Sequence, residues 1–193
     1  NFQTKTISGA AGILAISALI SRILGVVRDW LLAKIFGTGP EVDIYFAAFR
    51  IPDMVYGILI AGGIVVAFLP LFSEYFSKNK EEAWRFTNNT INVFFFLLIV
   101  FCLALFIFTP FLVKLITPGF TDDQLQKTIF LTRLMFLSPI FLGLSSVFSG
   151  ILQYFNRFLA YGLAPIFYNL GIISGLLVLV PKFGISGVAI GVI

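Results

Sequence analysis

Six ionisable residues stand close together near the start of the chain: Arg22, Arg28, Asp29, Asp43, Arg50 and Asp53. An arginine is always charged and offers a planar fork of N–H donors that fits phosphate oxygens, whereas a lysine supplies only a point charge. Aspartates beside such forks neutralise part of the charge while the anion is away. The chemistry this set can do is anion recognition, and phosphate is its best ligand. Acid-base or metal chemistry has far less to stand on. The chain has no histidine and a single cysteine, Cys102, inside an apolar run. That removes H-E-x-x-H metal sites, Ser-His dyads and a disulfide framework. No G-x-S-x-G elbow and no glycine-rich phosphate loop of the P-loop type is present, so no catalytic residue, metal site or cofactor is expected.

The elements that carry these charges are the surprise. Of 193 residues, 59% are hydrophobic and 11% charged, and the mean hydropathy is +1.03. A soluble core of this length could not bury so much apolar surface. The uncharged runs 93–113, 134–152 and 158–180 each approach or exceed the ~20 residues that cross a hydrocarbon core of ~30 Å. Nothing in "VFFFLLIVF" or "GLLVLV" alternates as a membrane β-strand would. The fold class is all-α, a polytopic membrane helix bundle.

The sequence pattern predicts helix one over 7–36, a turn at "GTGPE", and helix two over 42–76 with bends at Pro52 and Pro70. Polar "SKNKEEAW" at 77–84 reads as a link to helix three, "TPGFTDD" at 117–123 as a link to helix four, and "YFNRF" at 154–158 as a turn into helix five. "PKFG" at 181–184 opens a sixth apolar segment that stops at Ile193. The expectation is a partial N-terminal transmembrane lobe over 1–193, with five complete helices and the start of a sixth. Lys5, Lys78, Lys80, Arg85 and Arg157 fall on one side of the membrane against Lys34, Lys114, Lys127 and Lys182 on the other. That slight bias places the N-terminus in the cytoplasm. A net charge of +4 suits contact with membrane lipid headgroups. No basic stripe with interleaved aromatics suggests nucleic acid.

At ~100° per residue, Ser17, Ser21, Arg22, Gly25, Arg28 and Asp29 share one sector of helix one. Ile13, Ile16, Ile20, Ile23, Leu24, Val27 and Leu31 occupy the other. An arginine at mid-depth facing lipid costs ~2.5–3.5 kcal/mol, several times what one Leu or Ile gains, so the charged sector must look into protein or a water-filled cavity. On helix two, Asp43, Arg50 and Gly57 recur every seven residues, with Asp53 nearby. Counted from Gly39, Arg28, Asp29 and Arg50 lie at one level, ~15 Å from the turn at ~1.5 Å per residue, and Arg22 lies deeper. At least one approach of Asp29 to Arg28 or Arg50 is expected there. The same residues also admit a simpler reading, as ion pairs that lock helices together in a structural membrane protein.

"SRILGVVRDWLLAKIFGTG", "DIYFAAFRIPD", "AFLPLFSEY", "TPGF", "GILQYFNRF" and "APIFYN", in this order and spacing, resemble successive motifs of the MurJ (MviN) family. These are the lipid II flippases of peptidoglycan synthesis, within the multidrug/oligosaccharidyl-lipid/polysaccharide exporter superfamily. The resemblance implies about fourteen helices in two lobes, in the bacterial cytoplasmic (inner) membrane. It implies alternation between inward- and outward-open states around a cationic cavity, and an undecaprenyl-diphosphate-linked glycan as substrate. It also implies a C-terminal lobe of the same chain as partner. Matched position by position, it makes Arg22, Arg28, Asp29 and Arg50 substrate-binding residues, supported by Ser21, Asp43 and Asp53. The chain departs from the family where many members carry further arginines and a glutamate: here stand Tyr56, Gly57 and Ala61. That change leaves open an exporter of another undecaprenyl-linked oligosaccharide.

Overall fold

A computed structural model describes residues 7–58 and 65–193. Ala61 lies outside the described residues. Among those described, every element is helical: α1 (Ile7–Phe36), α2 (Pro40–Val55), α3 (Val65–Lys78), α4 (Lys80–Ile116), α5 (Asp122–Met135), α6 (Leu137–Tyr154), α7 (Phe158–Ser174), α8 (Val180–Phe183) and α9 (Ile185–Val192). A π-helical turn, Gly175–Leu179, joins α7 to α8, and residues 56–58 continue α2 in the same form.

The breaks follow local chemistry. Gly37 takes φ 63°, a conformation that a side chain disfavours, and so ends α1. Pro40 then starts α2 at a position where its missing N–H goes unnoticed. Of the two stretches expected as links, "SKNKEEAW" is largely helical, whereas "TPGFTDD" does link α4 to α5, with only its two aspartates inside a helix. In "SKNKEEAW" only Asn79 interrupts the chain. It caps α4 by accepting from the Glu81 N–H, and Glu81 takes a 2.8 Å ion pair from Arg85 one turn on. In "TPGFTDD", Thr121 and Gln124 form a capping box, and the aspartates open α5. Their polarity marks helix N-termini, where acidic side chains meet unpaired N–H groups.

The fourth membrane segment is also divided, at Phe136 between α5 and α6. Pro139 cannot donate to the carbonyl of Met135 and its ring crowds that carbonyl, so the first helix ends there. Helix two likewise arrives as α2 and α3, with Pro52 and Pro70 inside them.

Among the described residues, four helical stretches are long and apolar enough to cross a membrane: Ser8–Phe36, Lys80–Ile116, Asp122–Tyr154 and Phe158–Phe183. The chain is a multi-pass membrane protein. Of these spans, 44% of the Asp122–Tyr154 window is buried against only 6% of the Ser8–Phe36 window, so α5–α6 is the central rod and α1 a peripheral one. Besides the cluster of Ile51, Val55, Leu98, Cys102, Val113 and Phe136, two more apolar clusters lie around the rod. One joins Leu32, Ile44, Tyr45, Leu131, Met135, Ile172 and Val188. The other packs Phe68 and Phe72 of α3 with Ala83, Val147 and Ile151. Rings of Phe76, Tyr154 and Phe155 close that second end edge to face. α1 packs mainly on α7 and much less on α2.

Candidate substrate-binding cavity

Because α1 leans on α7 and α2 leans on α5, a gap opens between the two pairs, with α6 at its back. It is a cavity of about 900 Å³. Arg28 and Ser17 of α1, Asp53 and Tyr56 of the second helix, and Tyr161 and Tyr168 of α7 reach its wall. From α6 come Ser138, Ser145, Ser146, Ser149 and Gln153. Serine in a membrane helix is tolerated because its hydroxyl can bond the preceding turn; Ser146 donates to the Leu142 carbonyl at 2.9 Å. The wall is mostly apolar, crossed by a row of serine hydroxyls, with one cation and one carboxylate.

Arg28 is held at two of its nitrogens. Its Nε donates to Asp29 Oδ1 at 2.8 Å, and its Nη1 donates to Asn169 Oδ1 at 3.2 Å. A guanidinium has five N–H donors; these two contacts leave three without a partner among the described residues. The ion pair is strictly local, between consecutive residues of α1, rather than a bridge to Arg50 across the turn. The Arg28 side chain is 30% exposed and that of Asp29 63%. A small cleft beside the cavity brings Arg28, Asp29 and Leu32 opposite Tyr45, Phe46 and Phe49, so the two helices do run side by side at the level counted from the turn.

The other candidates lie apart. Arg22, Asp43 and Arg50 are exposed and line neither the cavity nor the cleft. Among the described residues, neither Arg22 nor Arg50 forms an ion pair. The face of α1 that packs is narrower than the polar sector drawn on the wheel. Ala10, Ser17 and Leu32 are buried and Ser21 and Arg28 half-buried, whereas Arg22 sits about 100° from Ser21 and points off the packed stripe. On α2, Asp43, Phe46, Arg50, Asp53 and Gly57 are all exposed, so that stripe forms the open flank of its helix. Among the described residues no group of His, Cys, Asp and Glu could hold a metal ion.

Sequence reasoning missed Asn169, which is 7% exposed and bonded to α1 at three points. Its signal was available: one amide in the apolar run after Pro165. It also missed the serine row of α6, where the spacing of Ser138, Ser145, Ser149 and Gln153 marks one helical face.

The model of the family described as "Lipid II flippase MurJ" matches residues 32–193. The chain belongs to the MurJ family. That match begins after Asp29, so the stretch holding Ser21, Arg22, Arg28 and Asp29 is outside it. A probable lipid II flippase MurJ of Rhizobium tropici is 36% identical over 164 residues, covering 83% of this chain and 31% of the relative. The lipid II flippase MurJ of Thermosipho africanus is 32% identical over 181 residues, covering 93% of this chain and 37% of the relative. Among solved structures, a lipid II flippase MurJ in an inward closed conformation superposes with a TM-score of 0.78 at 31% identity, over 93% of this chain and 38% of that one. The chain thus spans about a third of the length of the MurJ relatives it matches.

Proposed function

We propose that this chain supplies most of the N-terminal lobe of a flippase that carries an undecaprenyl-diphosphate-linked peptidoglycan precursor across the bacterial inner membrane, with its N-terminus in the cytoplasm. A second lobe of the same protein would complete the pathway. The observation that carries the reading is Arg28: a guanidinium on the wall of a cavity of about 900 Å³, anchored by Asp29 and Asn169, with three N–H groups that have no partner among the described residues. Those remaining donors suit the oxygens of a diphosphate. Asp29 balances the charge while the cavity is empty. The serines of α6 would give hydroxyl and carbonyl contacts to an uncharged, hydroxyl-rich headgroup behind the diphosphate. Arg22 and Arg50, exposed on the flanks of α1 and α2, would face the path that the second lobe closes. No covalent bond changes in this cycle. The work is differential binding between states open to opposite sides.

The test is growth of a bacterium depleted of its own lipid II flippase, rescued by the full-length protein at matched membrane abundance. With bidentate recognition by Arg28, Arg28→Lys rescues poorly despite its charge, and Arg28→Ala not at all. With a purely structural Arg28–Asp29 pair, Lys suffices, and Arg28→Ala combined with Asp29→Asn restores both abundance and growth. Growth of that double variant would overturn the assignment. Tyr56 on the cavity wall, where the family resemblance implies a cation, favours one second reading: a transporter of another undecaprenyl-linked glycan. Failure of the unmodified protein to complement would support it.

A further inference from the structure

Asn169 lies in the middle of α7, buried, in a stretch that is otherwise apolar apart from the tyrosines. A leucine would fill the same space, so the amide is there for its polarity. Every contact it makes has a fixed sense. Nδ2 sits 3.2 Å from the Ser21 carbonyl, 3.1 Å from Ser21 Oγ and 3.0 Å from the Pro165 carbonyl. Two of these three can only accept. The amide nitrogen must therefore occupy that end, and the amide oxygen must point the other way, toward Arg28 Nη1. Ser21 Oγ donates in turn to the Pro165 carbonyl, which closes the set.

One anchor at Nε would leave the guanidinium free to swing about its long side chain. A second anchor at Nη1 sets its plane. Neither anchor takes Nη2, whose two N–H groups stay on the open edge of the fork. We propose that Asn169 is a positioning residue, holding the Arg28 guanidinium in the one plane that presents its remaining N–H groups to an anionic headgroup. The inference rests on the reading of Arg28 as the diphosphate contact, and it goes further in assigning a role to a residue of α7 that never touches the ligand. Binding then depends on Asn169 through Arg28 and by no other route.

That dependence is measurable by a double-mutant cycle in the purified full-length protein, with undecaprenyl diphosphate in detergent as the probe and affinity read per folded molecule by native mass spectrometry. Arg28→Ala is expected to weaken binding by at least about tenfold. Asn169→Leu, which keeps the volume, is expected to weaken it about fivefold in the unmodified protein and to have no further effect beside Arg28→Ala. A purely structural Asn169 predicts an equal effect of Asn169→Leu in both backgrounds, or none, and either result overturns the positioning role. Should Arg28→Ala bind as the unmodified protein does, the diphosphate reading fails first and this inference falls with it. Should both Asn169→Leu and Asn169→Ala fail to accumulate while Arg28→Ala accumulates normally, Asn169 serves only to join α1 to α7, and the proposal is overturned.

Discussion

α7 joins its two neighbours in opposite ways. Toward α9, it and the π turn present Gly171 and Gly175 to Gly187 and Gly191, and the backbones nearly touch. A Cβ on Gly175 would stand 2.8 Å from the Gly187 carbonyl, and one on Gly191 2.8 Å from the Gly171 carbonyl. Toward α1, the same helix uses side chains: Asn169 against Ser21 and Arg28, and Gly162 under Ser17. The first seam works by dispersion between surfaces that cannot approach further, and it leaves no space for water or ligand. The second depends on a few directed bonds and opens onto the cavity. In lipid, where no hydrophobic force drives helices together, both are sound ways to join them, but only the polar seam can also present a charge.

The glycine seam should be the less forgiving. Gly187 is the tightest point, since an added Cβ would lie 2.6 Å from the Leu179 carbonyl carbon and 2.6 Å from the Val180 nitrogen, and backbone cannot rotate aside. Gly187→Ala is expected to cost about 3 kcal/mol, the upper end of ordinary overpacking, visible as a lower melting temperature of the purified protein. An unchanged melting temperature would break the contrast between the seams. A smaller loss is expected on the other side. In Gly162→Ala the new methyl meets Ser17 Oγ at 2.7 Å and Ser17 Cβ at 2.9 Å, so the conflict is with a side chain, and about 1–2 kcal/mol is lost. Combining it with Ser17→Gly should recover most of that, which the same melting measurement reads. If the pair melts no higher than Gly162→Ala alone, the α1–α7 contact is as rigid as the glycine seam. The smallest effect should come from Gly12→Ala in α1, where nothing lies within 4 Å. With no neighbour to displace, alanine gains roughly 0.5–1 kcal/mol of helix propensity, and melting should stay level or rise slightly.

The contrast also separates what could be read in the chain from what could not. Helix one, the turn after it and the return at "YFNRF" follow from hydropathy and from Gly37 and Asn156, both at positive φ. The extent of α4 and α5 did not, because "KEE" and "TDD" were read as solvated loop when their charges belong to first turns. The split at Phe136 was legible in Pro139 but was overlooked within an uninterrupted apolar run. For the cavity, a helical wheel sorts residues by angle and knows nothing of the neighbour. It grouped Arg22 with Arg28, yet α1 packs along a single stripe on α7, and one step of ~100° carries Arg22 off it. Asn169 stayed hidden for a different reason. Its partners Ser21 and Arg28 lie 148 and 141 residues away, and one sequence by itself holds no record of such a pairing.

That separation has a consequence for how the chain is made. Ribosomes add roughly 5–20 residues per second, so Asn169 emerges about seven to thirty seconds after Arg28. Throughout that interval α1 must enter the bilayer without its partner helix. The neighbouring carboxylate of Asp29, 2.8 Å from Arg28 Nε, is the one counter-charge already synthesised alongside it. A local pair lets Arg28 enter the bilayer with its own charge offset, although Arg22 and Lys34 keep the helix cationic, and the amide from α7 arrives later to orient an arginine that has been waiting in place.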